Sequence, residues 1–203
     1  MTDKKAAQTL ATKQRLESVA RDLFAKRGFA EVSAEELVAK AHVTRGALYH
    51  HYNGKEGLLA AVVEALMQEL HETIVRESAS LTDTVEALER GMAVFLNVCS
   101  EPGVQRILLI DAPAILGWAK WREMDAKYGF GLIKQALTAA MKAGALRRQE
   151  VGLLAHILLG ALSEAAMVIA RSPYPAKARK DAERALASVL AGWRRETSRM
   201  PPR

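Results

Sequence analysis

Cysteine is nearly absent. Cys99 is the single thiol, so no internal disulfide can form, and a reducing cytoplasm is the expected setting. No basic neighbour in the local sequence would lower its pKa, so Cys99 reads as a small core hydrophobe. Also missing is a run of about 18 uninterrupted apolar residues, which speaks against a membrane-spanning helix. The most apolar stretch, residues 151–170, is interrupted by His156 and Glu164 and reads as a buried helix. Residues 1–10 are polar and carry Lys4 and Lys5, which is not the pattern of a secretory signal. There is no glycine-rich phosphate loop, no nucleophile elbow, no HExxH and no metal-spaced cluster of His and Cys. Carboxylates such as Glu150, Asp181 and Glu183 read as solvated helix charges. No catalytic residue, metal or cofactor is therefore expected, and no membrane partner.

What is present is a globular balance, 50% hydrophobic and 26% charged over 203 residues. This excludes disorder and suits one ordinary domain plus a small one. The net charge of +6 favours polyanion partners without identifying one. Its distribution is more telling. Lys4, Lys5, Lys13, Arg15, Arg21, Lys26, Arg27, Lys40, Arg45 and Lys55 all lie in the first quarter. A second cluster, Arg194, Arg195, Arg199 and Arg203, reads as a solvated, frayed end.

Nearly every segment has helical period, and none reads as strand. Leu16, Val19, Ala20, Leu23 and Phe24 mark one buried face, and Gly28 stops that helix. Ser33 to Glu36 form a capping box ahead of a short second helix, with Leu37, Val38 and Ala41 inward. His42-Val43 is a turn. Thr44 caps a third short helix, 45–51, ended by Asn53-Gly54. A long fourth helix from about Lys55 carries Leu59, Val62, Val63, Leu66, Met67, Leu70 and Ile74. A fifth runs from about Val85 to Cys99 and is broken at Glu101-Pro102-Gly103. Asp111 is expected to cap the next helix, with a kink near Gly129 and Gly131 before Gly144 ends it. Two further helices are expected over about 150–171 and 176–196.

Two short helices joined by a tight turn, the second rich in exposed polar groups, form a helix-turn-helix. In such a unit the second helix enters the major groove with its N-terminal residues on base edges. Arg45 has the geometry to donate two hydrogen bonds to a guanine edge, Gly46 admits backbone close to DNA, and Ala47 suits a thymine methyl. Leu48 faces the core, while Tyr49, His50 and His51 fall at the phosphate rim. Lys55, at the start of the fourth helix, offers charge and backbone N–H groups to a phosphate. Tyr52 reads as a packing residue. His50 and His51, adjacent on a helix, are poorly placed to share one metal.

These residues carry a resemblance. The segment 14–63 resembles the DNA-binding domain of the TetR family, through 23–29 (LFAKRGF), 33–37 (SAEEL), 43–52 (VTRGALYHHY) and Lys55-Glu56. The resemblance implies that Ser33, Thr44, Arg45, Tyr49, His50 and Lys55 touch DNA. One departure is His42, where the family usually has glycine; a positive φ there is open to histidine at some cost.

The expected fold is all-α: a three-helix helix-turn-helix domain over residues 1–55, and a helical ligand-binding and dimerisation domain over 56–203. The family's layout implies that the last two long helices pair with their twofold mates. On them Leu154, Leu158, Ala161, Leu162, Ala165 and Ile169 form one apolar face, with Gly160 allowing close approach, and Leu186, Val189, Leu190 and Trp193 form another. Met67, Met92, Phe95, Trp118, Trp121, Tyr128, Met141 and His156 are candidate lining for a pocket holding an unidentified apolar or aromatic ligand; taken singly, each suits core packing better. His156 and Glu164 suit a ligand contact, a pair across the dimer, or satisfied core groups. The expected function is a repressor that binds a palindromic operator in double-stranded DNA as a homodimer and is released by its ligand. An activator, a co-repressed regulator and a non-specific architectural DNA binder are the alternatives.

Overall fold

The computed structural model describes residues 2–194, with side chains from Lys5 onward. Arg195, Arg199, Arg203 and the expected end of the last helix at Glu196 lie outside the described residues. Helices account for most of the described chain, and the only β-type pairing among the described residues is the single bridge between Leu146 and Arg194.

The chain forms two compact units, each made of two stretches of sequence. The first comprises residues up to Glu69 together with Cys99–Asp125; the second comprises Leu70–Val98 and the chain from Ala126 onward.

In the first unit, α1 (Thr2–Arg27), α2 (Ala34–Lys40) and α3 (Arg45–Tyr52) pack with the first half of α4 (Lys55–Ser78). Leu16, Ala20, Leu23, Phe24, Leu37, Leu48, Leu58, Leu59, Val62 and Val63 are buried there, as their period predicts. Gly28 ends α1 at φ +85°. The unit also takes in α6 (Pro102–Gln105), a π-helical stretch Arg106–Asp111, α7 (Ala112–Leu116) and α8 (Trp118–Asp125). Two hydrogen bonds explain why this segment joins the first unit. Asp111 Oδ2 accepts from the Phe29 N–H at 2.8 Å, and Arg106 Nη1 donates to the Ala25 carbonyl at 3.0 Å. Asp111 is thus not the helix cap its sequence context suggested. Its own backbone is helical, and its carboxylate serves the end of α1. The break in this region falls at Gly117, φ +83°. Near Gly129 and Gly131 the chain makes a π-helical turn, Ala126–Phe130.

In the second unit, the rest of α4 packs with α5 (Thr84–Cys99, to Val98), while α9 (Gly131–Lys142), α10 (Val151–Arg171) and α11 (Pro175–Trp193) pack together. Glu150 caps α10, accepting from the N–H groups of Gly152 (2.9 Å) and Leu153. Among the described residues α10 is the one unbroken helix long and apolar enough to cross a membrane. Leu154, Ala155, Leu158, Leu159, Leu162, Ala166 and Ile169 bury one side of it in its own chain. Its other side carries His156 and Glu164, the pattern of a helix bordering a core.

Gly57 sets the closest approach in the first unit. A Cβ built there would lie 1.7 Å from the Tyr52 carbonyl oxygen, so α4 starts directly against the end of α3 only because residue 57 has no side chain. Gly57→Ala is expected to cost about 2–3 kcal/mol as an overpacking change. A clear drop in the thermal or urea midpoint checks this; an unchanged midpoint would show that the junction relaxes freely.

Candidate nucleic-acid interface

The reader helix α3 is held at both ends. At its start Thr44 is extended (φ −82°, ψ 155°), and its Oγ1 accepts from the Ala47 N–H at 3.2 Å. At its end Asn53 takes the left-handed conformation at φ +57°, which asparagine tolerates well. Between them Leu48 is fully buried. Tyr52 Oη donates to Glu17 Oε1 at 2.6 Å, tying α3 to α1. Burial first, then Glu17, raises the Tyr52 pKa, so the phenol stays a donor. Tyr52 is the packing residue its sequence context suggested.

The turn before α3 has His42 at φ +52°, so this histidine adopts the left-handed geometry for which glycine is better suited. Ser33 caps α2 as expected, its Oγ accepting from the Glu36 N–H at 3.0 Å. The reciprocal half of the box is redirected: the Glu36 carboxylate accepts from Arg27 Nη1 at 2.7 and 2.9 Å and pairs with Lys40 at 3.3 Å.

The expected DNA-contacting residues of α2 and α3 cluster on the surface. Ser33, Thr44, Arg45, Gly46, Tyr49 and His50 are exposed and Ala47 is partly so. Arg45 pairs with Glu35 at 3.0 Å, and its guanidinium lies 5.6 Å from the centre of the Tyr49 ring. Both partners of the ion pair are well exposed, and such a pair is worth under about 1 kcal/mol; Arg45 can leave it for a stronger acceptor at little cost. His51 stands edge-on to His50 at 4.8 Å. Its pKa is held below the ordinary value, by burial first and then by the charges of His50 and Lys13.

Lys55 makes contacts that its sequence context did not indicate. Its Nζ donates to the carbonyls of Phe29 (2.9 Å) and Val32 (2.7 Å) and lies 3.9 Å from the Phe29 ring centre. Two of its three donors close the loop between α1 and α2. That commitment arises because this loop turns its carbonyls inward, where they need a donor, and the sequence showed only a cation at a helix start.

The candidate pocket residues fall in different units. Met67, Trp118 and Trp121 belong to the first; Met92, Phe95, Tyr128, Met141 and His156 belong to the second. Met67, Met92 and Trp121 are buried, and Trp118 is 65% exposed. Trp118 and Trp121 do meet, at 4.9 Å between centroids, with the Arg122 guanidinium 5.4 and 5.8 Å from their rings. The Trp121 N–H donates to the Leu108 carbonyl at 3.0 Å. In the second unit His71 Nδ1 and the Tyr128 carbonyl lie 3.0 Å apart, and His156, exposed, stacks on Phe130 at 4.3 Å. Cys99 is fully buried, and burial, then the charge of Asp125, pushes its thiol up to about 12, as befits an inert core residue.

The residues expected to form the dimer faces divide by burial. Leu154, Leu158, Leu162, Ile169, Leu186 and Leu190 are buried within the chain's own second unit, because α9, α10 and α11 consume them in packing on each other. Ala161 and Val189 are exposed, and Ala165 and Trp193 partly so. The apolar side chains that α10 leaves on the surface are Leu153, Ile157 and Val168, 64%, 53% and 54% exposed.

Comparison with known proteins fits this arrangement. The family described as bacterial regulatory proteins, tetR family, matches residues 17–62, the segment that builds the reader helix and its supports. The tetracyclin repressor-like C-terminal domain matches residues 85–193, more than half of the chain. The chain belongs to the TetR family. It is a DNA-binding transcriptional regulator, not an enzyme. A TetR-family regulator from Pectobacterium atrosepticum is 32% identical, with TM-score 0.77, covering 97% of this chain and 98% of that one. The transposon Tn10 TetC protein of Escherichia coli is 27% identical over 74% of this chain and 76% of its own length. RolR, solved in complex with resorcinol, shares the fold at TM-score 0.72 and 18% identity, covering 98% of each chain.

In this TetR-family regulator, Lys55→Gln is expected to lower stability by about 1.5–3 kcal/mol, the usual worth of hydrogen bonds to a charged group. The check is a denaturant titration beside a DNA titration. A variant of native stability with weakened DNA binding would show that Lys55 serves a phosphate more than the loop.

Proposed function

We propose that the chain is a repressor that binds a palindromic operator as a homodimer and is released by a small apolar or aromatic ligand. Residues 1–55 supply the DNA contacts and 56–203 the dimer and ligand contacts. The observation that carries the reading is α3: a capped, anchored helix whose N-terminal face is exposed, with Arg45 at its first position and Gly46 and Ala47 beside it. Ser33, Thr44, Tyr49 and His50 surround that face as phosphate and rim contacts. The cytoplasm is the matching compartment.

Dimerisation is assigned to the face that α10 leaves open. Leu153, Ile157, Ala161, Glu164 and Val168 follow helical spacing along it, with Gly160 at its centre, and Val189 on α11 adds to it. Two copies would place two reader helices on half-sites about one helical turn apart, roughly 34–36 Å, or a multiple of that. α4 is a continuous helix belonging to both units, which makes it the natural carrier of a ligand-induced tilt. A ligand that reduces operator affinity 100-fold needs about 2.7 kcal/mol of coupling, and it must bind the two states with different affinity. The similarity of fold to RolR, solved with resorcinol, supports an apolar or aromatic ligand.

Selection of bound sequences from a random duplex library tests the DNA reading. An enriched palindrome is expected, and Arg45→Ala is expected to lose about 1–3 kcal/mol on that sequence and to relax one position in each half-site. No enrichment, with or without added metabolite extract, would favour an architectural binder.

Ile157→Glu places a charge on the open face of α10 and is expected to shift a dimer to monomers in sedimentation analysis without unfolding. Leu158→Ala, one residue on, is expected to cost about 2–5 kcal/mol of stability. A dimer that tolerates Ile157→Glu would sink the assignment of this face.

A further inference from the structure

The cations of the first 55 residues whose side chains are described fall into two sets. Arg21, Lys26, Arg27, Lys40 and Arg45 each face a carboxylate, and Lys55 is held by two carbonyls. Lys5 and Lys13 make no ion pair with any described residue, and neither does Arg15, whose Nε reaches only the Ala11 carbonyl at 3.4 Å. From Lys4 to Leu16 the sequence holds no Asp or Glu at all. Among the described residues of this domain, the Lys and Arg side chains without a carboxylate or carbonyl clamp lie together between Lys5 and Arg15 of α1.

That charge is also directed. At 100° per residue, Lys5, Thr9 and Lys13 share the helix face that further along buries Leu16, Ala20 and Leu23. The face that packs the three-helix core therefore continues beyond it, changing from apolar to basic. It passes the end of the reader helix at the point of change: Tyr52 Oη, in the last residue of α3, lies 2.6 Å from Glu17 Oε1 and 3.4 Å from the Lys13 carbonyl. Lys5 to Lys13 spans about 12 Å of helix axis, or some three to four base pairs of duplex.

We propose that the Lys5–Thr9–Lys13 face of α1 is a second DNA contact, lying along the sugar-phosphate backbone beside the groove that α3 enters, where the two lysines neutralise phosphates. The inference rests on the DNA-binding reading of α3 and adds to it a sequence-independent clamp. A basic helix with an exposed leucine, Leu10 at 57%, also suits an anionic lipid surface. Continuity with the reader helix favours DNA.

The test is the double variant Lys5→Gln, Lys13→Gln in the full chain, with circular dichroism and thermal midpoint confirming the fold. Affinity for a mixed-sequence duplex of about three helical turns is measured across a salt series. Each phosphate neutralised contributes about 0.9 to the slope of log K against log salt, so the variant's slope is expected to be shallower by about 2 per protomer. Its preferred sequence in library selection is expected to be unchanged. Coincident slopes for variant and wild type overturn the clamp while leaving the reader helix in place. A changed sequence preference overturns it in favour of base readout by this face. Wild type that binds no duplex at any salt fails earlier, at the DNA-binding reading itself. Binding of wild type, but not the variant, to phosphatidylserine vesicles, with coincident DNA slopes, assigns the face to lipid and overturns the proposal.

Discussion

An eight-residue helix does not hold itself together in water, because the nucleation cost exceeds what so few backbone bonds return. Everything around α3 serves to offset that cost. Thr44 fills one orphan N–H at its start, Leu48 buries its inner face, and Tyr52 joins its end to Glu17 of α1. Gly57 then lets α4 begin in direct contact with the Tyr52 carbonyl. Leu48, Tyr52 and Gly57 need not touch DNA, yet together with Thr44 they fix the direction in which Arg45 points. A recognition helix of this length is a side-chain presentation device whose accuracy belongs to its supports.

Charge is managed by the same logic of local commitment. Glu36 satisfies Arg27 and Lys40, Glu35 holds Arg45 loosely, and Lys55 closes the loop after α1. The Arg45–Glu35 pair is exposed and weak, so it organises the free protein without competing seriously with a base edge or phosphate. The stretch 4–16 of α1, which holds no acid, is the exception, and Lys5 and Lys13 on it are the residues proposed to meet a polyanion.

The segment from Cys99 to Asp125 shows how far tertiary contacts can redirect residues. Asp111 and Arg106 bind the end of α1, drawing into the first unit a stretch that lies in sequence among the helices of the second. The π-helical turns at Arg106–Asp111 and Ala126–Phe130 are irregularities of a kind often found at functional positions. The Arg106–Asp111 turn is the one that presents Asp111 to the Phe29 N–H.

Helical period, caps and turn residues made the first unit legible. The Ser33 and Thr44 caps, the stop at Gly28, the positive φ at His42 and the burial of Leu16, Leu48 and Val63 all follow from local chemistry, which is why they could be read residue by residue. The TetR resemblance rested on the same short stretch. What the sequence could not determine is which of several equivalent partners a group takes. A lysine at a helix start looks the same whether it faces phosphate or, like Lys55, two carbonyls. An aspartate before a proline looks like a cap until, like Asp111, it meets an amide 82 residues away. An apolar helix with leucines all around it does not declare which of them are inside. Only packing against α9 and α11 put Leu154, Leu158 and Leu162 in the core and left Leu153 and Ile157 outside. Local pattern settles conformation because backbone and cap energies act over a few residues; the allocation of long-range hydrogen bonds and apolar faces is settled by tertiary structure because it depends on distances the sequence does not contain.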